Sequence, residues 1–81
     1  MDFKLSEHTK DMLRERSILE EWVWRTIDKP DWQNIGADNN IHYFKSITEH
    51  GKRTLHVVVN PHVSPKKVVT VFFDRRTRRQ R

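Results

Sequence analysis

Apolar positions in this chain change period part-way along. Leu5, His8, Thr9, Met12, Leu13 and Arg16 recur at helical spacing, with Met12 and Leu13 the strongly apolar members. Ser6 suits an N-cap and Glu7 a first helical turn, which predicts a helix over residues 7–15. Leu19, Val23, Thr26 and Ile27 form a second stripe, with Ile18 and Trp22 beside it. Ser17-Ile18-Leu19-Glu20 reads as a capping box opening this second helix, and Lys29-Pro30 closes it.

Beyond residue 40 the period falls to two. Residues 41–48 alternate, 53–60 are β-branched, and 67–73 form the strongest strand pattern. Residues 31–35 suggest a weaker strand, and Phe3 to Leu5 an edge pairing. Glu49-His50-Gly51 predicts a three-residue hairpin loop with Gly51 left-handed. Centring that hairpin on His50 sets Phe44 opposite His56 and Lys45 opposite Leu55. One face then carries Ile41, Tyr43, Ile47, Leu55, Val57, Val59, Val69, Val71 and Phe73 and is assigned to the helices. The other carries His42, Phe44, Ser46, Thr54, His56, Val58, Thr70 and Phe72. The expected fold is α+β: two N-terminal helices on one face of an antiparallel sheet of about four strands.

Charge divides the chain differently. Residues 75–81 hold five of the 16 Lys and Arg and no acid, which leaves 11 cations against 11 acids in residues 1–74. The expectation is one domain over 1–74 and a basic tail over 75–81. A neutral body with a cationic tail suits a polyanion such as nucleic acid, or else a solubilising end. The 81 residues contain no cysteine, so neither a disulfide nor a thiolate metal site is available. No membrane-length apolar run and no signal-peptide pattern occurs, and a cytoplasmic location is expected.

The run Ser6-Glu7-His8-Thr9, Met12 to Ile18, Glu20-Glu21-Trp22-Val23 and Lys29-Pro30-Asp31 carries a resemblance. So do Arg53 to Val59 and Val68 to Phe73. Together they resemble a bacterial domain-of-unknown-function family, number 4258, over almost the whole chain. That family looks like a relative of the RelE/ParE and BrnT toxins, several of which are ribonucleases of toxin–antitoxin pairs. Its typical opening is matched at His8, Arg16 and Ile18. The chain departs from it at Thr9, Met12, Leu13 and Ser17, the last standing where the family has glycine. Loss of an arginine at Met12 weakens any carry-over of a basic helix site.

The resemblance implies a toxin-type endoribonuclease that cuts or binds RNA without a metal. Such cleavage needs a base, a phosphate-holding cation and an acid. Histidine suits the proton transfers, so His56 and His42 on the mixed sheet face are candidates, beside the reading of structural sheet histidines. Arg76 completes the catalytic set. Arg75, Arg78, Arg79, Arg81, Arg53 and Lys45 are candidate RNA contacts, with Lys66 and Lys67 extending them. His8 is expected to bridge helix and sheet, and Arg16 to pair with an acid such as Glu20 or to hold phosphate. Five histidines without His-x-x-x-His spacing, and with His50 and His62 in exposed turns, do not suggest a metal site, and no cofactor is expected. Trp24, Phe44, Val58 and Phe72 suggest surplus apolar surface for an antitoxin or a second copy. The alternative is a non-catalytic protein-interaction module whose basic tail binds nucleic acid.

Overall fold

The computed structural model describes residues 3–74. Arg75, Arg76, Arg78, Arg79 and Arg81 lie outside the described residues. The elements run β1 (Phe3–Leu5), α1 (Glu7–Glu15), α2 (Glu20–Asp28), β2 (Trp32–Ile35), β3 (Ile41–Ile47), β4 (Arg53–Asn60) and β5 (Lys66–Asp74). Two helices pack with one sheet, an α+β fold. The sheet has five strands in the order β1-β5-β4-β3-β2, not about four. It is also mixed: β2 to β5 are antiparallel neighbours, but β1 runs parallel to β5.

The helices begin and end for local reasons. Ser6 Oγ accepts from the Thr9 amide and caps α1. At the other end Ser17 adopts φ 55°, its amide bonds Arg14 O at 3.2 Å, and the Ile18 amide bonds Leu13 O at 2.9 Å. This is a Schellman closure, completed by the burial of Leu13 and Ile18 in one core cluster. The expected capping box is therefore corrected. Ser17 terminates α1, while Leu19 stands at the N-cap of α2 without a side-chain cap and is exposed. Trp22, Val23, Thr26 and Ile27 bury the rest of the α2 stripe.

The β3–β4 register matches the reading centred on His50, with Phe44 opposite His56 and Lys45 opposite Leu55. The connection is longer than three residues. Thr48–His50 make a 3-10 turn, and both Gly51 (φ 66°) and Lys52 (φ 61°) are left-handed. A bulge in β5 corrects one core residue. Val58 pairs with Thr70 but Val59 pairs with Val68, so Val69 is the extra residue and is exposed while Val68 is fully buried. Leu55, Val57, Val59, Val68 and Val71 are fully buried with Val23 and Ile47.

Helix α1 also covers the margin of β5. Thr9 Oγ1 donates to Val68 O at 3.1 Å, and Arg16 Nη1 donates to Val71 O at 2.8 Å. His8 is exposed, so it does not bridge helix and sheet. The smaller Thr9 takes that place with its hydroxyl satisfied by Ser6 and Val68, and it is fully buried. Arg16 has a structural partner, but it is the β5 carbonyl rather than Glu20.

Candidate functional site

Strand register builds a row of rings on the face away from the aliphatic core. Trp32 pairs with Phe44, Phe44 with His56, and His56 with Phe72, across four strands. Trp32 and Phe44 stack at 4.8 Å, Phe44 and His56 lie 4.2 Å apart, and His56 and Phe72 lie 4.7 Å apart. The next row holds Asn34, His42, Val58 and Thr70. His42 and His56 are thus diagonal neighbours, close enough for long side chains to meet.

They do meet. His42 Nδ1 lies 2.8 Å from His56 Nε2. The outer nitrogen of His42, Nε2, lies 3.2 Å from Asp38 Oδ1, and His56 Nδ1 lies 3.6 Å from Asp74 Oδ2. The result is a line of carboxylate, imidazole, imidazole and carboxylate. The last contact is longer than a hydrogen bond but within Coulombic reach, and among the described residues the buried His56 Nδ1 has no hydrogen-bond partner.

Counting protons gives the line its chemistry. Each end nitrogen favours an N–H toward its carboxylate, and the central contact needs one N–H. Three protons on four nitrogens meet all three demands, one more than two neutral rings carry. A second added proton would set two N–H groups against each other at 2.8 Å. Burial holds His56 below the ordinary histidine value, His42 adds to that, and Asp74 opposes it. The Asn40 backbone N–H, then His42, hold the Asp38 carboxyl below its ordinary value. A hydrogen-bonded pair with a place for one added proton and none for a second can relay a proton between its ends.

The turn at residues 36–40 presents Asp38. Gly36 N donates to Asn40 O, Asn39 N to Gly36 O, and Asn40 N to Asp38 Oδ1. Gly36 is required for clearance: a Cβ there would lie 2.5 Å from His42 Nε2 and 2.8 Å from Asp38 Oδ1. Asp38, Asp74 and Gly36 were not singled out from the sequence. The i,i+4 spacing of Asp38 and His42, together with the Gly36 turn, was the available signal.

The remaining expected residues scatter. Lys45 lies opposite Leu55, donates to Lys29 O at 2.8 Å and sits 3.8 Å from Asp31. That engagement removes it from the expected RNA surface. Arg53 is exposed at the start of β4. Phe44 and Val58 are buried and Phe72 is half-buried, so the surplus apolar surface expected of them is closed within the chain. Trp24 packs on the core beside Phe3, its Nε1 donating to Glu20. His50 is also half-buried, stacked at 4.3 Å on Phe73. Among the described residues, no three His, Asp or Glu side chains are grouped to hold a metal ion.

The model of a domain of unknown function, DUF4258, matches residues 5–73. The chain belongs to the DUF4258 family. That match takes in both helices, all of β2, β3 and β4, and most of β5, hence His42, His56, Gly36 and Asp38. Asp74 falls one residue beyond it. No curated protein and no solved structure matches the chain. No helix among the described residues is long and apolar enough to cross a membrane.

Proposed function

We propose that this DUF4258 protein is a toxin-type endoribonuclease related to the RelE/ParE and BrnT toxins, acting in the cytoplasm on RNA without a metal. The observation that carries this reading is the His42–His56 hydrogen bond of 2.8 Å between Asp38 and Asp74. An imidazole pair with one transferable proton has both functions that the reaction needs. A neutral nitrogen takes the proton of a ribose 2′-hydroxyl as that oxygen attacks phosphorus. The bond to the 5′-oxygen breaks, and the departing oxygen takes a proton from the acid form. The products are a 2′,3′-cyclic phosphate and a free 5′-hydroxyl.

His42 is the member nearer the surface in this scheme. Its Nε2 faces Asp38, whose side chain is about half exposed, whereas His56 Nδ1 is buried. A substrate hydroxyl that displaces the Asp38 carboxylate reaches His42 Nε2, and His56 receives the proton behind it. The main proton-transfer residue is therefore His42, with His56 behind it, rather than His56 alone. Arg75 and Arg76 follow β5 directly in sequence and are the proposed phosphate contacts, with the later arginines tracking the backbone.

The test is purified full-length chain incubated with end-labelled RNA in excess chelator. Cleavage leaving cyclic-phosphate ends, lost in both His42→Ala and His56→Ala, is expected. Intact RNA from folded wild-type chain, with no growth arrest on induced expression, rejects the reading. A second reading, an interaction module for an antitoxin or a second copy, is favoured by Ile35, which is 73% exposed on the sheet-edge strand β2. Normal growth with a stable complex through β2 would support it.

A further inference from the structure

A second polar concavity lies at the opposite end of the strand order from β2. A cleft of about 570 Å³ opens where β1 passes into α1 beside the loop before β5. Lys4, Lys10 and Lys67 line it with Ser6 and Ser64, and among the described residues Glu7 is its one acid. Lys4 and Lys67 are register partners on adjacent strands, so their side chains leave the sheet on the same face. Like charges placed side by side repel unless an anion lies between them. Among the described residues neither has a carboxylate within 4 Å, and Glu7 is 3.9 Å from Lys10 instead. Arg14 and Arg25, by contrast, are paired with Asp11 and with Glu21 and Glu49.

We propose that this cleft is a phosphate-binding site that seats the RNA backbone away from the point of cleavage. The inference rests on the RNA reading above but uses none of its catalytic residues. Phosphate fits the chemistry: lysine ammonium groups hold it as point charges, and the Ser64 hydroxyl can donate to one of its oxygens. The cleft and the histidine pair share a sheet face, since Lys67 pairs with Asn60 and His42 with Val58, two residues back on β4. The Lys67 row and the His42 row are two steps apart along β4, the extra β5 residue being the bulge at Val69. At about 3.3 Å per residue along a strand and 4.8 Å between strands, the two sites lie roughly 12 Å apart. A strand of a few nucleotides spans that gap.

The experiment measures binding, not cleavage. Fluorescein-labelled single-stranded RNA is titrated with full-length protein by anisotropy between 0.05 and 0.2 M salt, values set on the scale where phosphate contacts show their salt dependence (about 50–200 mM). Wild type is compared with Lys4→Gln/Lys67→Gln, and folding is checked by circular dichroism. Single-stranded contacts contribute about −0.7 each to the logarithmic salt slope, so losing two flattens it by about 1.4 and weakens binding about 25-fold at 0.1 M salt. Wild-type affinity and slope in the folded lysine variant would overturn the proposal. So would absent RNA binding by wild type while inorganic phosphate shifts the Ser6 and Ser64 amide resonances, which would assign the cleft to a small phosphate compound. Lysine-dependent RNA binding without cleavage would retain the cleft and reject the nuclease.

Discussion

Gly36→Ala is the smallest change that should break the histidine line. The added methyl carbon would stand 2.5 Å from His42 Nε2, 2.8 Å from Asp38 Oδ1 and 2.9 Å from His42 Cδ2. Ordinary contact begins near 3.4 Å, so the ring must retreat by about 0.9 Å and the carboxylate by about 0.6 Å. Their present separation is 3.2 Å, so the retreat takes the contact beyond hydrogen-bonding distance. A misplacement of about 1 Å at a reacting group lowers a rate by about 10²-fold, and that is the expected loss of RNA cleavage. The structural readout is independent of activity. Asp38 is held below the ordinary carboxylate value first by the Asn40 backbone and then by His42, so releasing His42 raises its titration midpoint part of the way back. Carboxyl and imidazole resonances followed against pH measure this directly. Gly51→Ala serves as control, since nothing lies within 4 Å of a Cβ there and its φ of +66° brings only backbone strain. Unchanged Asp38 titration and His42 resonances in Gly36→Ala would refute the reasoning.

Ser17→Gly should stabilise the fold by about 1 kcal/mol, because a non-glycine residue in the left-handed region is disfavoured by about 1–2 kcal/mol and the more flexible unfolded glycine offsets part of the gain. Thermal denaturation should show a Tm about 4–8 °C higher, and a Tm at or below wild type would contradict the Schellman assignment. Thr9→Val keeps shape but leaves the buried Val68 carbonyl without its side-chain donor, and a loss of about 1–3 kcal/mol in urea unfolding is expected. Equal stability would mean that the hydroxyl contributes nothing. Acidification should also destabilise the chain. His56 binds its proton more weakly folded than unfolded, so that part of stability is complete above the ordinary histidine value and is lost as pH falls from there toward the lower folded value. The dependence should be absent from His56→Phe, as denaturation series at pH 8 and pH 5, either side of the free histidine value of about 6.5, can establish.

How much of this was legible in the sequence varied from residue to residue. The β3–β4 register could be read because the hairpin centres on His50, and alternation then sets Leu55, Val57 and Val59 together on the buried face. The same logic failed at Val68-Val69, since two adjacent valines give no sign of which one a bulge turns inward. Ser17 met the pattern of an N-cap, yet the preceding helix used it as a left-handed stop. Local chemistry permitted both, and burial of Leu13 with Ile18 decided between them. His8 and Thr9 occupy nearly the same helical face, and the buried place went to the side chain whose hydroxyl finds two partners. Of the candidate site, His42 and His56 followed from alternation and the hairpin register. Asp38 depended on turn geometry at Gly36, and Asp74 on the register of the last strand pair.

The two margins of the sheet are unequal. On one side β1 is three residues long with Lys4 at its centre, and the Thr9 and Arg16 side chains of α1 occupy β5 carbonyls beyond it. On the other, β2 carries no charged residue and ends at exposed Ile35. Among the described residues, β2 is therefore the margin that is not blunted against strand addition. Two copies joined through β2 would turn outward, among the described residues, only the blunted β1 margins, so such an association would close as a pair rather than grow into a fibre.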